Sequence, residues 1–332
     1  MKNIKSFLRS KQGVMILGFL ILVSLIVFFY IKDPLVTQAV LNSTIRHSTP
    51  LILGALAGVL CERSGIINIG IEGHMLLGAF LGYMVNVWTG NLVLAVAAAM
   101  GAGALMGLLL GYTSITLKMD QVIGGTVINI LATGLTGYFY TVGLMTSGKL
   151  TTVALGPLAD IPLLGPVFFN NGMITYAGFF LVFLLQITLY RTVWGLRTRS
   201  IGENPHAADT LGIKVIRMRY MNVVIAGAIA GLAGGFLTLE SVGSFERVMT
   251  NGRGFIALAV MIFGNWTPIG AWGAALLFGF ATAMQTQLNF MGVNIPHQFV
   301  GMLPYMLTIV VVAGLVGRTR PPAAEGIPFE KE

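Results

Sequence analysis

Stretches of apolar residues long enough to cross a lipid bilayer follow one another along almost the whole of this chain. Crossing a hydrocarbon core about 30 Å thick takes about 20 helical residues. Lipid offers the backbone no hydrogen-bond partner, so a spanning segment is either a helix or a strand of a closed barrel. Barrel strands alternate in polarity with a period of two, whereas these runs are continuously apolar. The chain is therefore expected to be all-α, a polytopic integral membrane protein. Composition agrees: 55% of the 332 residues are hydrophobic and 10% are charged, against roughly 25% charged in a soluble domain.

Dividing the runs at charges, prolines and glycine clusters gives about ten transmembrane helices, expected near 13–31, 47–61, 66–87, 92–117, 121–145, 172–190, 219–239, 254–265, 269–287 and 298–316. The first follows Lys2, Lys5, Arg9 and Lys11. It is longer than a signal-peptide core of roughly 7 to 15 residues and has no small-x-small site before Lys32, so it reads as a retained helix. The eighth is too short to span comfortably and reads as broken or re-entrant, which is tolerated where protein or a water-filled path shields the backbone.

With a cytosolic N-terminus, fifteen of the twenty lysines and arginines fall inside, leaving Lys32, Arg46, Lys149, Arg247 and Arg253 outside. By the positive-inside rule both termini are expected in the cytosol. The net charge of +8 then reflects topology and anionic lipid headgroups, with no need for nucleic acid. The expected division is one transmembrane domain over 1–317 and a short cytosolic tail over 318–332. Pro321, Pro322, Pro328 and mixed charges make that tail read as a flexible end. Two long loops stand out: Thr146 to Asn171 outside, a plausible lid or docking surface, and Arg191 to Arg219 inside, with six basic residues. The single cysteine, Cys61, excludes an intrachain disulfide.

The inside loop carries the punctuation of a small helix. Asn204 suits an N-cap, Pro205 the first helical position, and Gly212 the left-handed residue that ends a helix. So short a helix is marginal alone, and it is either a solvated connector or packed against something. In the third expected helix Asn68 and Glu72 stand four residues apart and are expected to share a face, with Gly65, Gly70 and Gly73 nearby. A carboxylate inside a membrane segment costs at least about 2.5 kcal/mol, so it needs a path, a partner or an interhelical bond. Glu72 either ties a broken helix to its neighbours or touches a substrate, and Asn68 and Asn129 share that choice. Other polar groups in apolar helices, Asn222, Glu240, Asn265, Gln285 and Gln287, are open to both readings. His74 has no neighbouring His, Cys or carboxylate pattern to make a metal site, and no catalytic constellation is recognisable. Gly103, Gly107 and Gly111, and again Gly227, Gly231 and Gly235, repeat at a spacing that lets helix backbones approach within or between subunits.

Four stretches carry a resemblance. Gly202 to Ile213 with Ala226 to Gly235, and Gly254 to Gly270, resemble the coupling segment, following helix and final segment of the ribose and branched-chain amino acid class of ABC permeases. Glu62-Arg-Ser-Gly-Ile-Ile-Asn-Ile-Gly-Ile-Glu-Gly73 resembles more closely the signature of the nucleoside branch. The similarity runs from about Thr49 to Gly317. It implies a permease of the bacterial inner membrane that pairs with a second, non-identical permease, two cytosolic ATPase subunits and an external substrate-binding protein. Glu203, Asn204, Pro205, Ala207, Ala208, Leu211 and Gly212 would form the element that sits in the ATPase groove. Asn68, Glu72 and Asn129 are the candidates for lining the substrate pathway.

No phosphate-binding Gly-x-x-x-x-Gly-Lys-Ser/Thr loop occurs in the sequence. The chain is expected to need no cofactor of its own and not to be an enzyme, with ATP and Mg bound by the ATPase partner. The favoured cargo is a nucleoside, followed by a pentose or other simple sugar and then a branched-chain amino acid. The rival from another class is a self-sufficient secondary transporter or channel, whose broken helices and intramembrane acid look similar; a third, an intramembrane enzyme, is weakened by the lack of a Ser/His, paired-Asp or metal constellation at membrane depth.

Overall fold

In the computed structural model the described residues are 24, 27–290, 302, 306 and 320–331. The expected helices at 13–31 and 298–316 lie largely outside them. Most of the rest is helical: α1 Pro34–Glu62, α2 Ile71–Thr89, α3 Leu92–Gly111, α4 Gln121–Phe139, α5 Leu164–Phe168, α6 Met173–Arg191, α7 Val193–Glu203, α8 Pro205–Thr210, α9 Val215–Gly235, α10 Arg253–Phe263 and α11 Pro268–Phe290. Wider-wound turns at Tyr112–Thr116 and Phe236–Val242 extend α3 and α9. Six of these segments are long and apolar enough to cross a membrane: α1, extended α3, α4, α6, extended α9 and α11.

Helix α1 begins at Pro34, well before the expected 47. The Asp33 carboxylate accepts from the Val36 N–H at 3.1 Å and Pro34 occupies the first turn, a strong start signal. Asn42, Arg46 and His47 interrupt hydropathy there without interrupting the helix. At 29 residues it is about 43 Å long, so it projects beyond the hydrocarbon thickness. Helix α2 conversely begins at Ile71, five residues later than expected, because Arg63 to Gly70 forms a turn with Gly65 at φ +86°.

Two helices form the centre. The apolar windows of α1 and α9 are 89% and 83% buried, against about a third for α3, α4, α6 and α11, which form the periphery. Helix α9 packs on α3, α2 and α1, while α11 and α10 pack on α1 from the other side. The outward faces of α4 (Ile123, Val127, Ile130) and α6 (Phe180, Phe183, Ile187) are exposed and apolar, as expected of surfaces that meet lipid. The first ten residues of α2, Glu72 and His74 among them, are all buried, as is Asn86 further along, so protein rather than lipid surrounds these polar groups.

The glycine repeats form a seam inside this chain. A Cβ on Gly107 would lie 2.6 Å from the Val223 carbonyl oxygen, and one on Gly227 or Gly231 would lie 3.0 Å from the Gly107 or Gly103 Cα. The seam extends to α2, where a Cβ on Gly78 would lie 2.6 Å from the Gly231 backbone. Three helices thus meet at backbone contact, which only small residues permit.

The long loop before α6 is folded. A two-residue antiparallel ribbon, β1 (Val153–Ala154) with β2 (Asn170–Asn171), encloses a 3₁₀ turn at Gly156–Asp160 and α5. The Tyr176 hydroxyl pins it, accepting from Asn171 N at 3.0 Å and donating to the Val153 carbonyl at 2.9 Å.

Candidate functional site

The turn after α1 is built by its own side chains. Arg63 donates through Nε to the Trp266 carbonyl at 2.8 Å and through a terminal nitrogen to the Asn265 carbonyl at 3.3 Å. The Glu62 carboxylate accepts from the Trp266 indole N–H. Adjacent Glu62 and Arg63 therefore clamp the turn between α10 and α11, where Asn265 and Trp266 both hold positive φ. Gln121, at the start of α4, accepts from Ile67 N at 2.7 Å. Asn129 bridges the far side of the turn: its carbonyl oxygen accepts from Gly73 N at 2.7 Å, and its amide donates to the Ile69 carbonyl at 3.0 Å.

Asn68 and Glu72 do not share a helical face, because α2 starts only at Ile71. Asn68 lies in the turn, fully buried, and donates to Cys61 Sγ at 3.6 Å. Glu72 reaches the other way. Its two oxygens accept from Gly252 N at 2.8 Å and Gly254 N at 2.6 Å, the first amides of α10. Helix α10 has 11 residues, about 16 Å, so it covers half the bilayer core. The partial positive charge of its N-terminus, inside the helical bundle, is met by a carboxylate. The approach is close enough that a Cβ on Gly254 would lie 2.5 Å from the Glu72 Cα. The expectation of a broken eighth helix thus has its physical reason: a half-length helix can start inside the bundle because Glu72 satisfies its first amides.

A second carboxylate does the same for α6. Glu240 accepts from Ile174 N and Thr175 Oγ1, each at 2.6 Å. It borders a polar cavity of about 790 Å³, lined among others by Asn42, Arg46, His47, Lys149 and Asn171. Arg46 and Lys149 both donate to the Ser241 carbonyl, at 3.3 and 2.7 Å. Sequence reasoning missed this cavity, though Asn42, Ser43, Arg46 and His47 recur at helical spacing on one face of α1 and could have signalled it.

At the end of the bundle that carries Glu62, the small helix forms with the expected punctuation. Asn204 Oδ1 accepts from Ala207 N at 3.0 Å, Pro205 opens α8, and Gly212 sits at φ +80°. Pro205 and Ala208 face inward, while Glu203, Asn204, Ala207, Leu211 and Gly212 are exposed. Leu211 is 83% exposed, an unsheltered leucine at the tip of a polar surface.

The tail over residues 320–331 is packed here rather than free. Ala324 N donates to the Gly202 carbonyl at 2.8 Å, Gly326 N to the Gly65 carbonyl at 3.2 Å, and Arg219 to the Ile327 carbonyl at 3.3 Å. Lys118 and Glu330 form an ion pair at 2.6 Å that holds the Glu330 carboxyl below the usual carboxylate range.

Comparison with known proteins places this geometry. Residues 40–312 match the family described as branched-chain amino acid transport system / permease component. The chain is 39% identical to the guanosine ABC transporter permease protein NupQ of Bacillus subtilis (strain 168), over 89% of this chain and 98% of that protein. It is 36% identical to the nucleoside ABC transporter permease protein NupC of Lactococcus lactis subsp. cremoris (strain MG1363), over 89% and 97%. A more distant likeness, 29% over 72% of this chain and 71% of the relative, is to the guanosine ABC transporter permease protein NupP, again of Bacillus subtilis. No solved structure gives a significant match.

Proposed function

This chain belongs to the branched-chain amino acid transport system / permease component family and is a multi-pass permease subunit of an ABC transporter; we propose that it imports nucleosides. The observation that carries the cargo is likeness to guanosine and nucleoside permeases across nearly their whole length.

In this reading the chain sits in a bacterial inner membrane with about ten spanning helices and both termini in the cytosol, in accord with fifteen of its twenty basic residues falling inside. A second, non-identical permease completes the pathway. Support comes from the occurrence in one organism of two different guanosine permease proteins, NupQ and NupP. Two cytosolic ATPases bind ATP and Mg, and an external binding protein delivers the nucleoside to the end that carries the polar cavity.

The exposed Glu203, Asn204, Ala207, Leu211 and Gly212 face the ATPase, and Pro205 and Ala208 anchor α8 to the permease. Glu72 shapes the pathway wall by holding the start of α10, and Asn68 and Asn129 by holding the turn that leads into α2. ATPase closure moves α8 and, through the packed turn at Glu62–Gly70, the half-helix that Glu72 caps.

Competition tests the cargo. Uptake of radiolabelled guanosine by cells carrying this chain with its ATPase, second permease and binding protein is displaced by unlabelled purine or pyrimidine nucleosides. Displacement by a pentose or by leucine, with none by nucleosides, overturns the assignment.

A further inference from the structure

The tail after Arg320 touches each part of the cytosolic end that has to move together. Its backbone bonds to Gly202 at the end of α7 and to Gly65 in the signature turn, and Arg219 at the base of α9 reaches both that turn, through the Ser64 carbonyl at 3.1 Å, and the tail at Ile327. Ala323 N donates to the Glu203 carboxylate at 3.4 Å, immediately before α8. Arg320 N bonds to the Asn265 side chain, on the turn that Glu62 and Arg63 clamp. Phe329 is 7% exposed and packs into the small cluster of Ile201, Ala208 and Val215 under α8, with the His206 ring 5.2 Å from its own. The Glu325 carboxyl lies beside that of Glu62.

We propose that this tail is a strap that positions the coupling helix: Phe329 buttresses α8 from below, and the segment from Pro322 to Ile327 joins it to the Glu62–Gly70 turn. The inference rests on the coupling reading of α8. A six-residue helix has too few internal hydrogen bonds to hold its own orientation. Covalent connection through α7 and α9 fixes its ends, while on its inward face Ala208 joins a small cluster with Ile201, Val215 and Phe329, of which Phe329 is the largest. Without that ring, α8 can tilt when pushed without moving the permease. With it, a displacement of α8 is carried through backbone bonds to Gly65 and Gly202 into the turn that leads to Glu72 and α10. Phe329 and Glu325 are positioning residues, since they act through α8 and through Glu62.

The test is transport per ATP hydrolysed by the full complex in proteoliposomes, comparing Phe329→Ala, Phe329→Leu, a chain ending at Arg320, and Leu211→Asp. Melting temperatures of the purified permease control for loss of fold. Coupling through packed elements typically changes by 0.5–2 kcal/mol on mutation, a factor between about 2 and 30. Phe329→Ala and the shortened chain are expected to lower transport per ATP by a factor in that range while ATP hydrolysis persists, and Phe329→Leu to restore most of it.

Unchanged transport per ATP in Phe329→Ala and in the shortened chain, with Leu211→Asp uncoupled, overturns the strap and leaves the coupling reading standing. An ineffective Leu211→Asp overturns the coupling reading itself. A fall in melting temperature and transport that Phe329→Leu does not rescue also counts against the strap, because it reports general stability.

Discussion

Two buried carboxylates, Glu72 and Glu240, each receive the first backbone amides of a helix, α10 and α6. Replacing Glu72 by Ala leaves two amides unpaired inside the bundle and removes the anion from a helix start, at a cost of about 2–4 kcal/mol. We expect the detergent-purified protein to melt lower by roughly 5 °C, and Glu72→Gln, which keeps an acceptor oxygen, to lose less. An Ala variant that melts like the parent removes this role.

Glu325 is outside the spanning helices, and burial raises its carboxyl above the usual carboxylate range. Its folded affinity for a proton exceeds its unfolded one, so its contribution to docking is complete below the unfolded value of roughly 4 and is lost as pH rises through the raised folded value. Spin-label distances between the tail and α7 should lengthen as pH rises across that window, and Glu325→Gln should abolish the dependence. Widening on acidification would reverse the assignment. The sequence showed that Glu72 needed a partner, because charge in an apolar run is visible. It could not show which partner, since Gly252 is 180 residues away.

Among the elements, the glycine seam was legible as spacing, but its location inside one chain required three dimensions. Gly227→Val puts a branched side chain against the Gly103 carbonyl and the Gly107 Cα. Overpacking of this kind costs about 1–3 kcal/mol or more, and we expect loss of the monodisperse peak in size-exclusion chromatography. Gly134→Ala on α4 has nothing within 4 Å and should be neutral or slightly stabilising, because it reduces unfolded-chain entropy. Equal behaviour of the two variants would refute the seam.

The start of α8 was legible because caps are local: Asn204, Pro205 and Gly212 act within a few residues. Helix α1 was cut short because polar residues at a membrane end look, in hydropathy, like a loop. The tail read as a free end because its partners, Gly65, Gly202 and Arg219, are more than a hundred residues away, and proline content describes only local stiffness.

For the whole molecule, the proposed orientation sets α8 and the ribbon loop on opposite sides of the membrane. Cys61 is fully buried, so cysteines can be introduced against a silent background. Thr151→Cys, on an exposed stretch of the loop, should react in intact cells with a maleimide that does not cross membranes. Leu211→Cys should react only after permeabilisation, and the reverse pattern would invert the topology.

The proposed division of labour, with ATP hydrolysed in a partner chain, accords with the lack of a phosphate-binding loop in the sequence and with an exposed leucine beside a capped six-residue helix. The most direct test is nucleoside uptake into proteoliposomes that hold this chain with and without its ATPase, second permease and binding protein. The account predicts uptake only with the full set and ATP, and its loss in Leu211→Asp. Uptake by this chain alone, driven by an ion gradient, would contradict it.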